Sequence, residues 1–222
     1  MGSRQMTPTR RTSTSGRRKA SAAGLDCATA FQQIALGCVA DIKAQHSSAC
    51  AGDADAVYQI RVAITRLRAA VAFFGPIVID AEWLRLKEEI AWLNVVLGAA
   101  RDSYVVVEYA HRKRFGAWAQ GKMGASLDRR QMQDHRRLVR SLRSARFAHM
   151  VSALVRWIKR GSWLRHWERR KDAESLESYC EHRFDGWRRR LIRKGRHLKT
   201  LKASRRHRLR IKVKRFRYML EA

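Results

Sequence analysis

Acidic residues are scarce in this 222-residue chain. Nineteen Asp and Glu stand against forty-eight Lys and Arg, a net charge of +29. Self-repulsion of that size opposes compaction unless counter-ions or an anionic partner relieve it. The candidate partners are nucleic acid, anionic lipid, or a phosphate compound or polymer. Proline is nearly absent, with only Pro8 and Pro76. With long 3.6-period stretches and no sustained alternation, that scarcity points to an all-α protein. The four cysteines, Cys27, Cys38, Cys50 and Cys180, form no CxxC pair and no Cys/His cluster of zinc spacing. They read as small buried hydrophobes in a reducing compartment. No run approaches the roughly 18 apolar residues of a membrane span, and the N-terminus lacks a secretory apolar region. The expected location is the cytoplasm, with no membrane partner.

The chain does carry a core. Its hydrophobic fraction is 45%, ordinary for a globular protein. Residues 1–24 are rich in Ser, Thr, Gly and Arg and should form a disordered basic tail. The rest, 25–222, reads as helices over about 25–48, 55–74, 81–98, 102–118, 128–141, 147–160 and 174–200, with a last one from about 205. Asp55 is the expected cap of the second helix, Gly98 the expected stop of the third. Leu25, Phe31, Ile34, Cys38 and Ile42 should face inward on the first helix. Trp83, Trp92, Trp157 and Trp187 fall within helices as core or core-edge residues. Short loops between such helices imply antiparallel bundles.

One basic helical pattern occurs twice. Shifting the chain by 149 residues lays Tyr58, Arg61, Arg66 and Arg68 on His207, Arg210, Arg215 and Arg217. The same shift lays Ile60, Ile64, Leu67 and Val71 on Leu209, Val213, Phe216 and Leu220. Apolar and cationic positions in register together imply an internal two-fold repeat. The halves would span about 25–120 and 125–222.

At about 100° per residue, Tyr58, Arg61, Thr65 and Arg68 form one stripe on the second helix. His207, Arg210, Lys214 and Arg217 form another on the last. Like charges three or four apart destabilise a helix, so such a stripe is costly without an anion. A chain of phosphates reverses the sign: Arg offers forked donors and Lys a point charge. The long helix adds Arg183, Arg190, Lys194 and His197 along one line, with Arg189 and Arg193 beside it. From Glu181 to Ala222 there are seventeen Lys or Arg and three acids. Enzymes acting on phosphate polymers usually hold a divalent metal with carboxylates, and Glu181, Asp185 and Glu221 are the only ones in that stretch. No catalytic residue, metal site or cofactor is expected.

These residues resemble the CHAD domain, the conserved histidine α-helical domain. Its signature reads roughly hydrophobic-His-x-x-Arg-Val-x-x-(Lys/Arg)-(Lys/Arg)-x-Arg, once per half. The second copy matches at His207, Arg210, Lys214, Arg215 and Arg217, the first at Arg61, Val62, Arg66 and Arg68. Tyr58 stands where the family has its histidine, and Thr65 where a base is usual. Leu97-Gly98-Ala99-Ala100-Arg101-Asp102 is similar to the family's Leu-Gly-x-x-Arg-Asp stretch.

The resemblance implies two helical bundles about a pseudo-two-fold axis, with a basic channel between them that binds inorganic polyphosphate. It also implies possible association with polyphosphate granules. The implied contacts are Tyr58, Arg61, Arg66 and Arg68 from one half. The other half gives Arg190, Lys194, His207, Arg210, Lys214 and Arg217. Nucleic acid is the competing polyanion and the alternative partner. The first signature helix is followed by further helices, the second by Glu221-Ala222 alone. The second half is therefore expected to be incomplete, leaving Leu209, Val213, Phe216 and Leu220 without part of their cover. Four such side chains in water forfeit on the order of several kcal/mol, so self-association through the last helix is a further expectation.

Overall fold

The structure is a computed structural model and describes residues 25–111, 121–169 and 174–222. The basic tail expected over 1–24 lies outside the described residues. Every regular element among the described residues is helical, so the fold is all-α. In chain order they are α1 (Cys27–Ala44), α2 (His46–Ala51), α3 (Ala54–Phe73), α4 (Gly75–Val78), α5 (Ala81–Ala110), α6 (Lys122–Leu142), α7 (Ala145–Arg160), α8 (Ser162–Glu168), α9 (Leu176–Gly195) and α10 (Ala203–Leu220). A 3-10 turn, Leu198–Thr200, joins the last two.

Short polar side chains start these helices by accepting orphan backbone N–H groups. Asp26 receives Thr29 N at 2.7 Å, and Ser144 receives Phe147 N at 3.2 Å. The cap of α3 is Asp53, not Asp55: its Oδ1 accepts from Asp55 N at 2.8 Å and Ala56 N at 3.2 Å. Gly52, at φ 100°, supplies the left-handed residue that ends α2.

Gly98 does not stop a helix. The stretches expected over 81–98 and 102–118 are one helix, Ala81–Ala110; of the latter, residues 112–118 lie outside the described residues. A helical glycine costs only about 1 kcal/mol against alanine, and the buried row Leu86, Ile90, Leu93, Leu97 and Ala100 continues straight across it. This helix is also, by length and composition alone, apolar enough to cross a membrane. Here its inner face lies in the core, against α3, α6 and α7.

Phe31 is the centre of that core, fully buried. Its ring meets Phe74, Trp157 and Trp163 edge-on at 5.8, 5.6 and 5.3 Å, and Trp83 stacks on Trp157 at 5.1 Å. Each such side chain contributes about 1.5–3 kcal/mol by leaving water, and edge-on rings add to it. Leu25, expected inside, is 42% exposed, because α1 begins only at Cys27. The connection at Gly161 is set by space. A Cβ there would stand 2.5 Å from Trp157 O and 2.6 Å from the Trp163 ring. Gly161→Ala is expected to cost about 1–3 kcal/mol by overpacking, read as a lower urea midpoint; an unchanged midpoint would contradict this packing.

A second aromatic seam fastens α9 and α10 to the end of α3. Phe73 meets Phe184 at 4.7 Å and Trp187 at 5.4 Å. Phe184 in turn meets Phe216 at 5.8 Å. Tyr179 donates its hydroxyl to Phe73 O at 2.9 Å. Arg183 does not join the expected basic line; its guanidinium donates to Phe73 O and Ala72 O at 2.8 and 2.9 Å, completing the C-terminus of α3.

On α10 the buried residues are Tyr218 and Met219. Of the apolar row expected to face inward, Leu209 and Phe216 are half-buried, whereas Val213 is 49% and Leu220 60% exposed. The helix is turned so that its Tyr218 side, not its Leu220 side, meets α3.

Candidate polyanion site

Helices α3 and α10 run antiparallel across each other. Arg66 lies over Tyr218, while Arg68 approaches Arg215 closely enough to depress its pKa. Helix α9 packs beside α10, and the seam between them is a trough. Its inner notch encloses about 170 Å³ over Ala72 and Trp187, with Arg190, Lys194, Lys212 and Arg215 around it. An outer recess of about 470 Å³ continues past Arg193, His197, Arg205 and Arg208. Lys194 and Lys212 line both and form the waist.

The electrostatics of the notch are uncompensated. Lys212 has its pKa lowered, first by the close approach of the Lys194 ammonium, then by partial burial and by repulsion from Lys194, Arg215 and Arg190. Arg215 is half-buried and its pKa is lowered by that burial and by Arg68. Two ammonium groups offer donors and no acceptor, so the pair repels, and negative charge placed between them would relieve that repulsion. Among the described residues, none of Arg68, Arg190, Lys194, Lys212 or Arg215 has a carboxylate within ion-pair distance. Asp185, the nearest acid on α9 in sequence, is held by Arg188 at 3.0 Å and Arg189 at 2.6 Å.

The residues expected to form the site divide into separate groups. Arg190 and Lys194 line the notch, and Arg68 abuts it. Arg61 is half-buried, its Nη1 3.1 Å from where a Cβ on Gly98 would stand. That glycine gives the guanidinium its room. Tyr58, 40% exposed, carries Arg101 over its ring at 5.4 Å.

Arg66, Lys214 and Arg217 instead gather on Tyr218, at 5.6, 5.5 and 5.2 Å from its centroid. His207 and Arg210 are exposed on α10. Arg210 lies about 160° around the helix from Lys212, two residues at 100° each, and so on the side away from the trough.

Lys212 and Arg215 were not among the expected contacts. Arg215 had a signal, since it repeats Arg66 and belongs to the signature. Lys212 had none, because which side of α10 meets α9 is decided by the aromatic seam.

The repeat carries one more lesson. The 149-residue shift lays Cys38, Asp41 and Arg66 on Trp187, Arg190 and Arg215. Around Arg66 a recess of about 220 Å³ holds Asp41 and Glu221, and Glu221 pairs with Arg217 at 3.3 Å. The first-half recess is therefore neutralised from within, whereas its register-equivalent is wholly cationic.

Fold and trough together define an all-helical domain with an unneutralised cationic seam. The CHAD domain family profile matches residues 33–222, and the chain belongs to that family. The family is associated in general with polyphosphate and triphosphate binding. A crystal structure of the CHAD domain from the plant Ricinus communis is similar, with a TM-score of 0.76 and 24% sequence identity. The match covers 90% of this chain and 66% of that one, so this chain spans somewhat less than two-thirds of its length. At that identity the likeness establishes the fold. No curated protein matches the chain.

Proposed function

We propose that this protein binds inorganic polyphosphate without turning it over, and that the α9–α10 trough, with Arg68 of α3, is the seat. One observation carries the reading: Lys194 and Lys212 are pressed together among Arg190, Arg215 and Arg68 with no carboxylate beside them. An anion in the notch would offset the repulsion between these cations. Charge-assisted bonds from Arg and Lys to phosphate oxygens hold it there, and bound counter-ions are released as the polymer enters.

The trough's shape favours a single phosphate strand. It is a seam between two packed helices, whose axes in such contacts lie about 8–10 Å apart. A nucleic-acid duplex can reach only the outward cations, such as Arg210 and His207. The cytoplasm is the proposed location, with association to polyphosphate granules following from the ligand.

Fluorescence polarisation of the full chain with labelled long-chain polyphosphate tests this, with duplex DNA as competitor, at about 0.15 M and 0.5 M salt. Binding that falls with salt and withstands a tenfold mass excess of DNA, roughly the margin of a 1.4 kcal/mol preference, is expected. Equal displacement by DNA would make the chain a general polyanion binder.

A further inference from the structure

Helix α5 has a second face. Leu84, Glu88, Ala91, Val95, Asp102 and Val106 fall within about 40° of one line at 100° per residue, opposite the buried row Leu86, Ile90, Leu93 and Leu97. Leu84 is 55%, Val95 65% and Val106 48% exposed. No Lys or Arg falls in that sector, in a chain that has forty-eight. Over most of the surface a second copy at +29 would meet repulsion; here it meets apolar groups and acids.

The face is also a palindrome about Val95. Residues whose numbers sum to 190 are alike: Leu84 with Val106, Ala91 with Ala99, and Val95 with itself. Lys87, at the edge of the sector, and Asp102, at a sum of 189, are opposite in charge. Lys87, Glu88 and Asp102 have no ion-pair partner within the chain among the described residues.

We propose that this protein forms a two-fold dimer in which α5 packs antiparallel on α5 of a second copy, centred on Val95. An isologous interface requires self-complementary positions across the axis, and Leu84 with Val106, Ala91 with Ala99, Val95 with itself and Lys87 with Asp102 supply them. Leu84 of one copy covers Val106 of the other at both ends. Ala91 against Ala99 lets the helices approach on either side of the centre.

Lys87 reaches Asp102 of the second copy twice over. Glu88 also comes opposite Asp102, and the flanking Lys87 offsets that repulsion. The stripe is about 33 Å long, 22 residues at 1.5 Å each. A single-helix contact is at the small end of protein interfaces, so the dimer is a micromolar one. It needs no phosphate, and a failure of polyphosphate binding leaves it standing.

Sedimentation velocity of the full chain across micromolar concentrations, without polyphosphate, tests the proposal. Long-range repulsion between copies is screened by salt, with a Debye length of about 8 Å at 0.15 M. The dimer is therefore expected to strengthen between about 0.15 and 0.5 M, while any ligand affinity weakens. Val95→Arg should leave a monomer of unchanged helix content by circular dichroism. Lys87→Glu should weaken the dimer about tenfold by leaving three acids, residues 87, 88 and 102, facing one another without a cation. The double variant Lys87→Glu/Asp102→Lys recreates the pair with reversed sign and should recover most of that loss. A chain monomeric throughout, or a double variant no better than Lys87→Glu alone, would overturn the interface. So would a dimer that survives Val95→Arg but dissolves on Leu220→Asp, which would place self-association on α10.

Discussion

Removing the two α10 cations of the notch, Lys212→Ala with Arg215→Ala, is expected to weaken polyphosphate binding about a hundredfold or more. Each loses at least one charge-assisted bond, on the order of 1.5–3 kcal/mol, and 1.4 kcal/mol is tenfold. The control is the other cationic group on the same helix pair. Arg66→Ala with Arg217→Ala removes the same formal charge. Arg217 is already paired with Glu221 at 3.3 Å, and Arg66 shares its recess with Asp41 and Glu221. Ion pairs exposed to water contribute little, so that loss should stay within a few-fold. Equal losses from the two pairs would mean that +29 acts as a diffuse field, and the trough would have no special role.

The trough also sets a pH dependence with a definite sign. In the free protein Lys212 has its pKa lowered, chiefly by Lys194. The unfolded chain lacks that neighbour and holds the proton more tightly. Below the depressed value both states are protonated and the repulsion acts in full against the fold. As pH rises through it the folded state releases a proton first, so stability rises up to the unfolded value.

Binding runs the other way. Phosphate in the notch raises the pKa of Lys212, so the complex takes up protons in alkaline solution and affinity falls as pH rises. Calorimetry in two alkaline buffers of different ionisation enthalpy should show that uptake. Lys194→Ala should reduce it by removing the leading cause.

Much of this was legible in the sequence, and the exceptions have physical reasons. The 3.6-residue rows located the long helices but not the short ones α2, α4 and α8, and Phe31, Cys38, Ile42, Trp83 and Trp157 are buried where periodicity placed them. Gly98 misled because glycine both ends helices and opens space inside them; the neighbour that needs the space, Arg61, is 37 residues away in the chain. The stripe of α10 lies apart from the trough for a related reason. A helical wheel orders residues by angle but does not say which angle meets a neighbour. The wheel joined His207, Arg210, Lys214 and Arg217. The ring contacts of Phe73, Phe184 and Phe216 turn α10 so that Lys212 and Arg215 face α9 instead. Charge was legible as a total, and its compensation was not: Asp41 and Glu221 neutralise one recess, and their register partner Arg190 leaves the other cationic.

The largest loss of stability is expected at a residue far from the trough. Asp80→Ala should cost about 3–5 kcal/mol, read as a lower urea midpoint at unchanged slope. Asp80 Oδ1 accepts from Trp83 N at 2.8 Å, capping α5, and from Trp157 Nε1 at 3.1 Å. Its Oδ2 accepts the Ser162 hydroxyl at 2.8 Å. One carboxylate thus ties the starts of α5 and α8 to the body of α7. The cap contributes about 1 kcal/mol and each bond to the carboxylate about 1.5–3 kcal/mol.

Trp157 is fully buried, so alanine strands its indole N–H without water to replace the partner. Asp80→Asn keeps a carbonyl oxygen for Trp83 and Trp157, and the Ser162 hydroxyl can turn to accept from the new amide. Its cost should be less than half that of alanine; equal costs would mean that the carboxylate's charge, not its acceptor geometry, holds the junction. None of these groups reaches α9 or α10, so Asp80→Ala should reduce the folded fraction and leave the polyphosphate affinity of each folded molecule unchanged. A parallel fall in affinity would mean that the trough depends on the packing of the first half as a whole.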